Sequence, residues 1–156
     1  MENERRVVSV IVVNEASVLS RITDLFSGRG YNIESLTVAP IPESKYSRLT
    51  IVTAGSVRVI EQITKQLHKL IPILRVYDHV DFVEKEMALI KFPLAESITD
   101  IDILCQAYNG KIVNVGEDMI VAMVADEPRR IDNFLKAIKR FNPKEIVRGG
   151  AVALER

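Results

Sequence analysis

In NEASVLSRITDLFSGRGYNIESLTVAP, residues 14 to 40, a loop, an amphipathic helix, a glycine break and a strand follow one another without a gap. Val18, Leu19, Ile22, Leu25 and Phe26 recur at helical spacing, so they share one face. Gly28 and Gly30 stop the helix, because glycine takes the left-handed backbone at a helix end without the penalty a Cβ brings. Asn32 and Ile33 open the next strand, and Val7 to Val13 form an apolar strand before Asn14. Asn14 and Asn32 therefore flank one helix.

Outward from this stretch the pattern continues. Ile33 to Pro40 and Ser47 to Ala54 are β-branched runs separated by the polar, proline-containing IPESKY, which predicts a hairpin. From Val57 the period returns to 3.6, with Ile60, Ile63, Leu67 and Leu70 on one face and Lys65, Gln66 and Lys69 off it. Pro72 ends that helix and Ile73 to Val76 starts a fourth strand. The order βαββαβ is complete by about residue 80, as expected for helices packed on one face of an antiparallel sheet.

The second half repeats that order. Met87 to Phe92 reads as a strand, Ile98, Ile101, Leu104, Cys105 and Tyr108 as a helix ended by Asn109 and Gly110, and Lys111 to Val115 with Met119 to Ala125 as a hairpin. Pro128 suits the first turn of a further helix carrying Ile131, Phe134, Leu135 and Ile138. Ile146 to Leu154 closes the unit as a strand. The boundary falls in Asp78 to Lys85, which gives domains 1–80 and 81–156. The fold class is α+β, with two tandem ferredoxin-like βαββαβ domains.

Composition bounds the function. The 47% of apolar residues suffice for packed cores, and 21 Lys plus Arg balance 21 Asp plus Glu, so no global field attracts nucleic acid or an anionic membrane. The charged start, MENERR, runs directly into a strand and no apolar run reaches about 18 residues. One cysteine, Cys105, makes no internal disulfide. The expectation is a soluble cytoplasmic protein.

Residues 14 to 40 hold the groups that a free amino acid requires. Such a ligand presents a carboxylate, an ammonium and a side chain within a few ångströms. The helix starting near Ser17 offers free N–H groups and a positive dipole end to the carboxylate. The Asn14 amide donates to that carboxylate or accepts from the ammonium, and Val18, Leu19 and Ile33 supply an aliphatic wall. On residue type alone Asn14 is more often a helix-entry residue, Asn32 a turn residue and the glycine pair a C-cap.

SVIVVNEASVLSRITDLFSGRGYNIESLTVAP, SRLTIVTAG from Ser47 to Gly55 and EQITKQLHKLIPILRV from Glu61 to Val76 resemble the small regulatory subunit of acetohydroxyacid synthase (acetolactate synthase). GKIVNV and the closing strand extend the likeness more loosely. The resemblance implies that residues 1–80 are an ACT domain binding a feedback amino acid such as valine, in valine, leucine and isoleucine biosynthesis. It also implies a homodimer through the ACT domains, with the Asn14 loop of one chain facing Asn32 of the other. The chain would then be noncatalytic, activating a separate large subunit that carries thiamine diphosphate, magnesium and FAD and conferring feedback inhibition on it. Where that family usually has glycine in N-x-x-G-x-L, this chain has Ser17. Serine gives up close backbone approach and tolerance of positive φ, and is a good N-cap residue.

Other chemistry fails to assemble. His68 and His79 are too far apart for a local ligand pair, and Cys105 sits on an apolar stripe. Asp100 with Asp102, and Glu84 with Glu86, read as solvated charge. No G-x-S-x-G, H-E-x-x-H or P-loop occurs. A small ferredoxin-like enzyme would need a phosphate-cradling loop after the first strand, and VNEAS lacks one. An RNA-recognition module would display aromatic rings on VVSVIVV and SRLTIVT, which have none. The alternatives left open are a stand-alone amino-acid-binding regulator of a different metabolic enzyme and, behind it, a small ferredoxin-like enzyme.

Overall fold

The computed structural model describes residues 3–70 and 72–156; Met1 and Glu2 of the charged start, and Ile71, lie outside the described residues. Two compact units are present, the chain through Val83 together with Ala153–Arg156, and Glu84–Val152.

In the first unit β1 (Glu4–Val13), α1 (Val18–Gly28), β2 (Ile33–Pro40), β3 (Tyr46–Gly55), α2 (Val57–His68) and β4 (Ile73–Asp78) follow in order. The sheet runs β2-β3-β1-β4, with every pairing antiparallel. Pairing Val8 with Ile51 and Val10 with Leu49 puts these four on one face, where Val18, Ile22 and Phe26 of α1 and Ile60, Ile63 and Leu67 of α2 pack against them. Burying each such side chain stabilises the fold by about 1.5–3 kcal/mol before entropy is counted. Gly30 holds φ at +68°, the left-handed conformation expected at the end of α1. Ser56 Oγ accepts the Val59 amide and caps α2. That helix ends at His68 rather than at Pro72, because its last turn tightens into Lys69 N–H to Gln66 and Leu70 N–H to Leu67 bonds.

The second unit repeats the plan with β5 (Phe82–Pro93), α3 (Ile98–Ala107), β6 (Gly110–Val115), β7 (Met119–Asp126), α4 (Pro128–Ala137) and β8 (Glu145–Arg148). Its strand order is β6-β7-β5-β8. Ile90, Phe92, Ile120 and Val124 meet Ile101 and Cys105 of α3 and Ile131 and Phe134 of α4. The architecture is thus two tandem ferredoxin-like βαββαβ folds. The expected single closing strand, Ile146 to Leu154, is instead broken at Gly149 and Gly150 into β8 and β9 (Val152–Glu155). Two consecutive glycines weaken a strand, and β9 pairs with β5 off the main path. Among the described residues no helix is long and apolar enough to cross a membrane.

Asp126, 2% exposed at the end of β7, fixes the second unit's helices to its sheet. Its carboxylate accepts from Asn109 Nδ2 at 3.1 Å, the Glu127 amide at 2.8 Å and Arg130 Nε, and faces Lys85 Nζ at 3.5 Å. Asn109 sits at φ +57° just past α3, whereas Arg130 lies in the first turn of α4. Burial acts to raise the Asp126 pKa, but the Arg130 and Glu127 hydrogen bonds and the charges of Arg130 and Lys85 outweigh it and hold it below the ordinary 3.8. A carboxylate with a depressed folded pKa contributes stability that is complete above its unfolded value and lost as pH falls through the folded one. Asp126→Asn is therefore expected to lower stability by about 1–3 kcal/mol near neutrality. It should also remove part of the stability loss below 3.8, as read by urea unfolding from neutral to strongly acid pH.

Candidate functional site

β1 ends at Val13, and the chain turns away through Asn14 to Ser17 into α1. The Asn14 amide donates to Lys45 C=O at 2.9 Å, which anchors the turn to the start of β3. Val18 N–H reaches Glu15 C=O at 3.3 Å, and the first full helical bond runs from Arg21 to Ser17 at 3.1 Å. Among the described residues the amides of Leu19 and Ser20 meet no backbone acceptor, and no acidic side chain occupies the first turn. The end of α1 thus offers donors and a positive dipole to an anion.

The side chains divide into two groups. Asn14 and Ser17 are exposed, and Leu19 is 37% exposed. Val18 is packed at 2% exposure into the core beneath the turn, and Ile33 is partly buried against the same core. Asn32 is exposed and follows Tyr31, whose amide bonds Phe26 C=O at 2.9 Å and whose ring meets Phe26 edge-on at 6.1 Å. Its carbonyl accepts from Thr53 Oγ1.

Ser17 differs from its expected part as a cap. Its backbone is in the ordinary right-handed region, φ −86° and ψ −11°, and its side chain makes no capping bond. A cap needs extended backbone to aim Oγ at the third amide, a conformation that Ser56 adopts and Ser17 does not. Because φ is negative, this position does not call for glycine's backbone freedom, and what serine adds is the bulk and hydroxyl of its side chain.

A single chain does not bring the two asparagines together. Asn14 is tied to Lys45 at the beginning of β3 and Asn32 to Thr53 near its end. Eight residues of strand separate these anchors, about 26 Å at 3.3 Å each.

The remaining titratable groups give no rival centre. No cluster of three or more metal-ligating side chains exists among the described residues. Cys105 is fully buried, and burial, aided by the charge of Asp102, pushes its thiol up to about 11, so it is inert at neutral pH. His68 is exposed. His79, in contrast, is 3% exposed with Nε2 2.7 Å from Ser9 Oγ, and Arg48 reaches the same hydroxyl at 3.2 Å. The sequence signal for that cluster is a lone serine inside the apolar run VVSVIVV.

Two family models match the chain: residues 8–75 fit the ACT domain of the acetohydroxyacid synthase small-subunit type, and residues 85–156 fit the small subunit of acetolactate synthase. The acetolactate synthase isozyme 3 small subunit of Escherichia coli K12 is 40% identical over 97% of this chain and 96% of its own length. The probable acetolactate synthase small subunit of Methanothermobacter thermautotrophicus is 35% identical over 100% of this chain and 95% of its own. The crystal structure of the Thermotoga maritima acetolactate synthase small subunit superposes with a TM-score of 0.90 at 32% identity, covering 98% of each chain. The first βαββαβ unit is accordingly an ACT domain.

The cap geometry makes a direct prediction. Ser17→Ala should change thermal stability by less than about 0.5 kcal/mol, whereas Ser56→Ala, which removes a formed cap, should lose about 1 kcal/mol. Differential scanning calorimetry of the two variants checks it, and an equal loss in both would show that Ser17 caps α1 in solution.

Proposed function

This chain belongs to the family of acetolactate synthase small subunits, and from that premise we propose that it is a noncatalytic regulatory subunit which activates a catalytic large subunit and confers feedback inhibition by valine or another branched-chain amino acid. Thiamine diphosphate, magnesium and FAD belong, on this reading, to the catalytic partner, and the setting is cytoplasmic. Residues 1–80 act as the regulatory domain and 81–156 as the second ferredoxin-like domain.

The observation that carries the proposal is the placement of Asn14 and Asn32 at opposite ends of the sheet edge formed by β2. Asn32 directly precedes β2, and Pro40 at its other end pairs with Ser47, beside the Lys45 carbonyl that holds Asn14. An isologous, antiparallel pairing of two β2 edges sets the Asn32 end of one chain against the Asn14 end of the other. Each of the two equivalent sites then combines the α1 amides, Asn14, Ser17 and Leu19 of one chain with Asn32 and Ile33 of the other. Val18 supports that site from the core.

Within such a site the Asn14 amide contacts a charged ligand group, a hydrogen bond worth about 1.5–3 kcal/mol. Neither the core stripe of α1 nor the sheet needs this exposed side chain. Asn14→Ala is therefore expected to weaken inhibition roughly ten- to hundredfold and to leave activation intact. Ser17→Gly is expected to tighten effector binding by opening space at the turn. The test is acetolactate formation by the reconstituted enzyme, titrated with valine, leucine and isoleucine, with the small chain alone as a control. Unchanged inhibition in Asn14→Ala places the ligand elsewhere, and acetolactate formation by the chain alone overturns the noncatalytic reading.

A further inference from the structure

In the first unit, the sheet face that points away from α1 and α2 carries two arginines held only by neutral groups. Val10 and Val12 enter the helix-covered core, so Ile11 between them points the other way. Ile11 pairs with Arg48 of β3 on one side and with Arg75 of β4 on the other, which puts both arginines on its face with Cα atoms about 10 Å apart. Both guanidiniums turn toward Tyr77. Arg75 Nη1 donates to the Tyr77 hydroxyl at 3.0 Å, and the Arg75 and Arg48 guanidinium carbons lie 5.3 and 5.7 Å from the ring centre. Arg48 Nη2 donates to Ser9 Oγ at 3.2 Å and to the Ala153 carbonyl at 2.9 Å. Among the described residues, the acceptors of these two arginines are all uncharged. Arg6, in contrast, is paired with Asp78, Arg130 with Asp126, Arg148 with Glu86 and Asp132, and Arg156 with Asp81. A partly buried cation that meets no opposite charge is costly, because burial removes the water that would otherwise screen it.

We propose that Arg48, Tyr77 and Arg75 form a binding site for a small phosphate-bearing anion. Two guanidiniums call for two negative charges, and a phosphoryl group carries both on one centre with three oxygens to accept from two forks. A single carboxylate supplies one charge and satisfies one fork. The donors are available: the bonds already made use Nη2 of Arg48 and Nη1 of Arg75, which leaves Nε and the other Nη of each without an acceptor among the described residues. Arg75 is exposed and Arg48 and Tyr77 are half-buried, so the corner opens to solvent. Contacts with Ser9, Ala153 and Tyr77 hold the two forks in advance, so little rotamer freedom is left to lose when the anion arrives. The other ionisable groups beside the ring do not neutralise the arginines: His79 stacks against Tyr77 at 6.2 Å, and Glu155 faces His79 Nδ1 at 3.7 Å. This corner lies on the sheet face opposite α1, and the inference does not rest on the amino-acid site.

Isothermal titration of the full chain with inorganic phosphate, at slightly alkaline pH and fixed ionic strength, tests the proposal. Saturable binding is expected in the unaltered chain. Arg75→Gln, at an exposed position, is expected to weaken it roughly tenfold or more. Arg48→Lys keeps the charge but loses the fork, and is expected to weaken it by a similar factor. Arg58→Gln, on the exposed side of α2, is expected to bind as the unaltered chain does. Circular dichroism melts give a second reading: phosphate should raise the melting temperature of the unaltered chain and of Arg58→Gln, but not that of Arg75→Gln. If Arg48→Lys does not fold, the Arg75→Gln and Arg58→Gln pair decides alone. Glycerol phosphate in place of inorganic phosphate tells a phosphate ester from the free ion by which of the two binds more tightly. Succinate, whose charges sit on separate carboxylates, is expected to bind at least about tenfold more weakly than either. No saturable heat with phosphate or its ester, or equal affinity in Arg75→Gln and Arg58→Gln, overturns the site. Succinate binding as tightly as phosphate overturns its assignment to a phosphoryl group.

Discussion

A four-stranded antiparallel sheet has two faces, and a βαββαβ chain supplies helices for only one. Everything else in this molecule follows from how the second face is treated. In the first unit it is closed, with Val7 at 2% exposure, Val52 at 1%, and Ser9 and Thr50 equally hidden. In the second unit it is open and apolar. One fold repeated in tandem thus meets the same constraint in two ways, and only the second unit leaves an apolar sheet face uncovered.

Closing a face that contains polar side chains has its own requirements. A buried hydroxyl without a hydrogen bond costs on the order of 1–3 kcal/mol, so Ser9 in the middle of β1 is tolerable only because His79 and Arg48 reach it. Arg48 also donates to Ala153 C=O at 2.9 Å and lies over the Tyr77 ring, while Arg156 pairs with Asp81. These bonds are directional, so they fix where the segment Ala153–Arg156 lies on the first unit in a way that aliphatic packing does not. Asp126 plays the same part in the second unit, converting three loose ends, the close of α3, the start of α4 and Lys85, into one satisfied centre.

The elements governed by local periodicity were legible in the sequence, and those governed by distant partners were not. Val18, Ile22 and Phe26 declared α1 by spacing, Gly30 its end by backbone freedom, and Asn109 the end of α3. The split of the last strand at Gly149 was not, because the apolar residues on both sides of the glycine pair read as one strand, and the seat of β9 depends on residues some seventy positions earlier. Ser17 shows a subtler limit: its residue type suits a cap, yet the φ and ψ imposed by the turn after Val13 aim the hydroxyl away. His79 was invisible because its burial depends on Ser9, Tyr77 and Phe82 converging from separate strands.

The candidate site was legible as chemistry but not as geometry. Asn14 and Asn32 flank one helix in sequence, which suggests proximity, but the helix carries the chain from one end of the sheet to the other. Two polar groups whose anchors lie about 26 Å apart along β3 do not share one amino acid within a single chain. A ligand that needs both must therefore bind only to paired chains. Such a ligand stabilises the pair by mass action, by about 2.7 kcal/mol at a hundred times its dissociation constant. By linkage, whatever alters the geometry of the pair alters affinity for the ligand by the same factor. On the proposed reading the effector would act on the association of two small domains, and a partner sensing that association would receive the signal.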